Sequence, residues 1–226
     1  MKKDIKKLMD NIYNEAKREE FSIDKEVYEI CKRDHLKPIL YAGTLQSQIC
    51  FLGRDLGRDE VKNAQPLYGS AGKLIRQGLH FALFGKEAVN SKELQEAADK
   101  VLLTNLVPYK PIGNKAYPVK VKKRFRPFIE ELLICHWSGN LIIPLGNESL
   151  KWFTHYSKEN ITNFMKSTER FEKTQEVTLT SKIDGKVYEK SVTVAPLPHP
   201  SPLNQKYYQK FPQMLQERLN QVRFRK

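Results

Sequence analysis

Apolar residues recur every three or four positions near the start of the chain, which is typical of a helix with one buried face. The pattern predicts an amphipathic helix over residues 4–18, with apolar positions Ile5, Leu8, Met9, Ile12 and Ala16. Similar spacing predicts helices over 69–84 and 207–222. Proline favours the first turn of a helix, so Pro127 is expected to open another over 127–136, after a basic loop at 110–126.

Short unbroken apolar runs indicate the strands. Such runs are typical of strands buried on both faces, and they occur at 38–41, 49–52, 101–107 and 141–146. Between residues 175 and 194, apolar positions on both sides of Asp184-Gly185 predict a β-hairpin with an Asp-Gly turn. The second arm of this hairpin leads directly to Pro198 and His199.

Strands that alternate with helices indicate an α/β fold. We expect a three-layer α/β/α sandwich with a central, mainly parallel, four-stranded sheet, plus the β-hairpin as an insertion. The 226 residues fit a single domain over 1–226, with a helical N-terminal segment at 1–36 and the hairpin at 175–194. Ligands of such sheets bind beyond the carboxyl ends of the strands, which selects the loops at 53–57, at 105–110 and after 194.

The charge balance points to a polyanionic partner. Lysine and arginine number 39 against 26 acidic residues, a formal net charge of +13, and the pI is near 9.5. Such a surface favours a polyanion, nucleic acid among others, because binding to phosphates releases counterions. A lysine-rich surface without any such partner is the alternative.

Cysteine usage and hydropathy suggest a location inside the cell. Cys31, Cys50 and Cys135 form no C-x-x-C pair, and an odd count argues against a disulfide framework. No apolar run approaches the roughly 18 residues of a membrane span, and the charged N-terminus lacks the apolar stretch of a signal peptide. We therefore expect a cytoplasmic protein that does not associate with a membrane.

Polar residues stand at three of the predicted strand ends: Asp55 within Gly53–Gly57, Asn105 after Thr104, and His199 before Pro200. Asp in a glycine-bounded turn is more often a turn or helix cap, and Asn at a strand end often satisfies its own backbone. The histidine is more distinctive, because the prolines that follow it stiffen its loop and remove backbone donors.

Taken in order, these segments resemble the uracil-DNA glycosylase superfamily over about residues 31–222. Residues 199–204, His-Pro-Ser-Pro-Leu-Asn, are similar to the His-containing leucine loop of the prototype branch, which is the most specific match. The other similar segments are 49–57 (strand and water-activating loop), 65–74 (pocket-forming turn and helix of the iron–sulfur branch), 103–107 (strand ending in the base-reading Asn) and 141–146 (third core strand).

The resemblance implies a DNA glycosylase that hydrolyses the N-glycosidic bond of a damaged base, uracil before others, in base excision repair. It assigns Asp55 to the sugar and the attacking water, and His199 to the charge on the departing base. Asn105 would read the uracil edge. The reaction needs no metal, no cofactor and no lysine nucleophile. The remaining implied contacts are Gly53, Leu67 and Tyr68 with the base, Ser201 with a phosphate, and Leu203 as the wedge that replaces the extruded nucleotide.

Several positions depart from both branches. Three cysteines cannot hold an iron–sulfur cluster that takes four thiolates. Arg54 stands where the iron–sulfur branch has Glu, and Leu56 follows Asp55 where the prototype branch has Pro. Leu67 replaces the Phe that stacks on uracil, with Tyr68 beside it as a possible stacking partner. The chain combines features of the two branches, which leaves the branch and the preferred base open.

Other charged residues have two explanations each. Asp59 and Glu60 could substitute for Asp55, although caps in the first turn of a helix are commoner. A basic cluster within 120–126 contains Lys122, Lys123 and Arg124, which we expect to contact DNA phosphates, and a solvated face is the alternative. The competing functions are a glycosylase for another deaminated base and an inactive DNA- or protein-binding module. In each case we expect a monomer.

Overall fold

A computed structural model describes residues 4–202 and 204–222, and within them six strands form one sheet. Four strands of the sheet are parallel, in the order β3-β2-β4-β6, while β1 and β5 are antiparallel at its two edges. The predicted α/β class with a mainly parallel sheet is therefore confirmed. The strands are β1 (Tyr41–Gly43), β2 (Ile49–Gly53), β3 (Leu102–Asn105), β4 (Leu141–Pro144), β5 (Gln175–Ile183) and β6 (Lys186–Val194).

The hairpin pairs with the central sheet, which therefore has six strands where four were expected. Strand β6 pairs in parallel with β4, with Thr193 opposite Leu141 and Val194 opposite Ile142. It is therefore the fourth parallel strand, and β5 extends the sheet beyond it. The alternating pattern that revealed the hairpin reports which side chains are buried, but it does not identify the neighbouring strand.

Helices cover both faces of the sheet. They are α1 (Ile5–Arg18), α2 (Lys25–Ile30), α3 (Arg58–Asn63), α4 (Ser70–Phe84), α5 (Ser91–Ala98), α6 (Val119–Glu131), α7 (Asn147–Lys151), α8 (Lys158–Lys166), α9 (Gln205–Tyr208) and α10 (Phe211–Gln221). Helices α4, α5 and α10 pack on one face, and α1, α2, α6, α7 and α8 pack on the other. Within the described part of the chain, no helix combines the length and the apolar character needed to span a membrane.

Strand β2 shows why an unbroken apolar run forms the middle layer. Cys50 and Leu52 belong to the hydrophobic cluster on the α1 and α6 side, whereas Ile49 and Phe51 belong to the cluster on the α4 and α10 side. Side chains of a strand alternate between its two faces, so both faces must be apolar when both are covered. The alternation confirms the predicted three layers.

The expected basic loop before Pro127 is mostly helix. Helix α6 begins at Val119 and contains Pro127 instead of starting with it. An internal proline costs roughly 3 kcal/mol, but Phe125 and Ile129 are four residues apart on one face of α6 and are both fully buried. Their burial outweighs the preference of proline for a first turn. The basic residues of 120–126 are therefore distributed around a helix.

Candidate active site

The carboxyl ends of neighbouring parallel strands bring the candidate residues to one edge of the sheet. Gly53 at the end of β2 lies opposite Asn105 at the end of β3. On the other side of β2, the residues after β4 and β6 also pair, because the Gly146 N–H donates to the Leu197 carbonyl at 2.8 Å. The loops that follow Gly53, Asn105 and Leu197 therefore meet at this edge.

Asn105 has a side-chain amide that is buried without a partner. The residue is 1% exposed, and neither Oδ1 nor Nδ2 has a hydrogen-bond partner among the described residues. A Cβ at Gly53 would lie 2.0 Å from Asn105 Oδ1, so only glycine leaves room for the amide. Unpaired buried polar groups cost about 1–3 kcal/mol each. A group kept at such a cost suits ligand recognition.

Asp55 has one paired and one unpaired carboxylate oxygen. Its side chain is 3% exposed, and Oδ2 accepts a hydrogen bond from Arg54 Nε at 2.7 Å. Oδ1 is buried and has no partner within the described residues. Burial raises the pKa of Asp55 and the Arg54 guanidinium opposes this rise. The free oxygen can accept a proton from a water molecule, because burial makes the carboxylate a stronger base.

His199 lies beyond β6, directly against the residues that follow β4, and is itself exposed between the buried Pro198 and Pro200. A Cβ at Gly146 would be 2.9 Å from the Cβ of His199, and Gly146 has a left-handed φ of +82°. Glycine is therefore required at position 146 both for its backbone conformation and for its closeness to the histidine. Desolvation and the nearby Arg54 charge lower the pKa of His199. A lowered pKa keeps the imidazole neutral, so that it can donate one N–H.

The turn at 67–69 closes the site on the Gly53 side. Leu67 has a left-handed φ of +51°, an uncommon conformation for a branched side chain. Its Cδ2 would be 2.9 Å from a Cβ at Gly53, on the same side as the Asn105 amide. The aliphatic Leu67 side chain therefore lines the space beside Asn105, where the resemblance expected an aromatic ring.

Glu60 ties this turn to the Asp55 loop. Its Oε1 accepts hydrogen bonds from Tyr68 N at 2.9 Å and Gly69 N at 2.8 Å, while Oε2 accepts one from Gly57 N at 2.9 Å. The last bond is part of a capping box at the start of α3. The sequence indicated only the helix cap. The bridge to a turn eight residues away has no local sequence signal.

Arg76 of α4 supports the same turn from below. Its Nε donates to the Leu67 carbonyl at 3.3 Å, and its guanidinium carbon lies 5.0 Å from the centre of the Tyr68 ring. Tyr68 therefore packs on Arg76, and its proposed role as a stacking partner for the base would require this ring to move. A Cβ at Gly72 would lie 1.8 Å from the Leu67 carbonyl oxygen, which explains a glycine near the start of α4.

We expect Glu60→Ala to destabilise the protein by roughly 3 kcal/mol or more, because three backbone donors lose their acceptor at about 1–3 kcal/mol each. Urea unfolding would measure the change. The control is Asp59→Ala, since Asp59 is the exposed neighbour in the same helical turn, and its loss should change stability by about 0.5 kcal/mol or less. Equal effects of the two substitutions would contradict the bridging role of Glu60.

The residues that were expected to contact DNA differ in their exposure and in their partners. Lys123 is exposed, but Lys122 pairs with Glu148 at 2.7 Å. Arg124 is mostly buried, and its Nε lies 2.6 Å from a Glu15 carboxylate oxygen of α1. Arg124 therefore serves the packing of α1 on α6, and we remove it from the proposed DNA contacts. Ser201 follows His199 in the same loop, with its N–H donating to the His199 carbonyl at 2.9 Å, and the wedge residue Leu203 lies outside the described residues.

Comparisons with known proteins agree with this architecture. The family profile of the uracil DNA glycosylase superfamily matches residues 40–223. A type-4 uracil-DNA glycosylase of Sulfurisphaera tokodaii is 25% identical over 164 residues, which is 70% of this chain. The match spans 62% of that protein, so the chain covers less than two thirds of the relative. Because the family profile matches most of its length, the chain belongs to the uracil-DNA glycosylase superfamily.

The cysteines do not suit the iron–sulfur cluster of one superfamily branch. They lie in three separate places: after α2, in the middle of β2, and in the wide turn that follows α6. Cys50 is fully buried, and desolvation raises its pKa far above the usual range. Cluster ligands are thiolates, and among the described residues no group of three His, Cys, Asp or Glu side chains could hold a metal ion.

Proposed function

We propose that this protein is a DNA glycosylase that hydrolyses the N-glycosidic bond of a damaged base, with uracil as its preferred substrate. The observation that carries the proposal is the pair of unpartnered buried groups, the Asn105 amide and Asp55 Oδ1, at adjacent strand ends. One is suited to read a base and the other to activate water. A module that only binds DNA would have no need to keep both groups unpaired.

The chemistry follows from the position of each group. Enzymes that act on a base take it out of the stack, so the extruded uracil would enter beside Asn105 and against Leu67. The bond between C1′ and the base nitrogen breaks, and its electron pair leaves with the base. Asp55 stabilises the positive charge on the sugar and takes a proton from the water that bonds to C1′. Neutral His199 donates a hydrogen bond to the base oxygen where negative charge collects.

A panel of single-lesion oligonucleotides tests the substrate. Strands with one uracil, thymine, hypoxanthine or xanthine are incubated with the protein, and abasic sites are cleaved with alkali. We expect cleavage at uracil before the other bases. If the protein released a purine and had no activity on uracil, the preferred substrate would be that purine instead of uracil. Leu67 in place of an aromatic ring supports this second candidate. No release from any strand would leave only a DNA-binding role.

We expect Arg54→Gln to move the acid limb of the pH profile of kcat/KM to higher pH. The base form of Asp55 is required, and its pKa is already raised by burial. The Arg54 guanidinium lowers that pKa, so removing the guanidinium should raise the pKa of Asp55 further. As the pH is lowered, Asp55 should therefore become protonated, and the rate should fall, at a higher pH than in the wild type. The control is Arg58→Gln, an exposed arginine in the same segment. Identical profiles for the two variants would show that Arg54 does not tune Asp55.

A further inference from the structure

A second concave surface lies next to the site, between α6, α7 and the turn at 152–155. This α6–α7 groove has a volume of about 550 Å³. Four lysine and arginine side chains and two glutamates stand among its otherwise largely apolar lining, and the residues that matter here are Lys122, Lys123, Arg126, Lys151, Trp152 and His155. The catalytic edge uses none of these residues, and only the basic cluster within 120–126 was expected from the sequence to contact DNA phosphates.

The acidic residues of the α6–α7 groove already have partners. Glu148 accepts a hydrogen bond from Lys122 at 2.7 Å, and Glu130 accepts one from the Tyr156 hydroxyl at 2.6 Å. Lys123 and Lys151 are exposed, and neither forms an ion pair with any described residue. With four lysine and arginine side chains against two glutamates, the groove offers a net positive charge to a ligand.

The groove is lined by a buried tryptophan with a cation against its ring. Trp152 is 3% exposed, and its indole N–H has no acceptor among the described residues. The Arg126 guanidinium lies 4.5 Å from the centre of the Trp152 ring, and its Nη1 donates to the Trp152 carbonyl at 3.1 Å. Stacking on the ring holds the Arg126 cation in place. A cation fixed in this way suits an anionic oxygen ligand.

The groove opens beside the reactive carboxylate. Both members of the Lys122–Glu148 pair at its rim influence the pKa of Asp55, the lysine lowering it and the glutamate raising it. Leu106, the residue directly after Asn105, also lines the groove. A DNA strand that leaves the site in this direction would enter the groove directly.

We propose that the α6–α7 groove binds the phosphodiester backbone of the DNA strand that flanks the extruded nucleotide. The inference rests on the proposed function, because that function supplies a strand at the Asp55 edge. The phosphates of this strand would meet Lys123, Arg126, Lys151 and His155. The groove thus extends the contact with the strand beyond the excised nucleotide.

The test is a double charge reversal, Lys123→Glu with Lys151→Glu. Binding is measured by fluorescence anisotropy with an undamaged single strand of about 16 nucleotides, near the upper site size of one strand-binding domain, across a range of salt concentrations. Two lost phosphate contacts should flatten the slope of log affinity against log salt by about 1.4, at about 0.7 per contact on single strands. The matched control reverses Lys92 and Lys100, two exposed lysines beside α5 on the opposite layer.

The outcomes separate this inference from the proposed function. A flatter slope in the groove variant, with the control unchanged, supports the groove even if the wild-type protein releases no base from any strand. Equal slopes in groove variant, control and wild type overturn the groove, and they do so even if the wild-type protein excises uracil. The proposal would also be overturned if polyglutamate bound the groove with higher affinity than the DNA strand at the same salt concentration.

Discussion

Replacing Asp55 by Asn should slow base release by about 10²–10⁴-fold, the usual contribution of a positioned general base. Asn has the same shape as Asp and can still accept the hydrogen bond from Arg54, but it cannot take a proton from water. It also removes the negative charge that would stabilise the cationic sugar. Single-turnover kinetics on a uracil-containing strand would measure the loss, with the enzyme in excess so that product release does not limit the rate.

DNA binding should survive this substitution. The change removes a negative charge from a basic protein, so affinity for the strand should stay the same or increase. Asp59→Asn is the control, since Asp59 is an exposed acid four residues away and should keep the wild-type rate. Full activity of Asp55→Asn would remove Asp55 from the mechanism. A matching loss in both variants would assign the effect to the charge of the loop instead of to one carboxylate.

The layers of the fold could be predicted because they depend on patterns that are local in sequence. The run Ile49–Gly53 is apolar at every position of its buried strand, and the helix Ile5–Arg18 has a single apolar face. The place of the hairpin could not be predicted in the same way. Whether β6 pairs with β4 depends on contacts between residues about fifty positions apart, such as Ile142 and Val194.

The candidate site could be predicted in part for the same reason. Asn105 ends a strand, and Asp55 and His199 follow one, so the rule that ligands bind beyond the carboxyl ends of the strands selected their positions. The support for the pocket turn could not be found from sequence. The contacts of Glu60 with Tyr68 N and of Arg76 with the Leu67 carbonyl join a side chain to the backbone. Almost any residue could supply those backbone groups, so the sequence carries no signal for them.

The residue at position 105 should determine how strongly the protein prefers uracil over cytosine. The Asn105 amide can donate to O4 of uracil and accept from its N3–H, whereas cytosine presents an amino donor and a bare nitrogen. Cytosine would leave buried groups unpaired, at about 1–3 kcal/mol each. Each unpaired group therefore lowers the rate on cytosine by roughly 5- to 150-fold relative to uracil. This discrimination requires the amide to keep one orientation, which the close approach to Gly53 favours.

Asn105→Asp should relax this choice. At 1% exposure the new carboxyl would have a raised pKa and carry a proton. A protonated acid can donate its O–H to N3 of cytosine and accept from the amino group, and it can also pair with uracil. The ratio of cytosine to uracil release should therefore rise by about tenfold or more, the equivalent of one recovered contact. Asn105→Leu is the control, because leucine can form neither of the two hydrogen bonds to the base. This variant should lose activity on uracil and gain no activity on cytosine. If Asn105→Leu and Asn105→Asp gave the same base preference, Asn105 would not be the residue that reads the base.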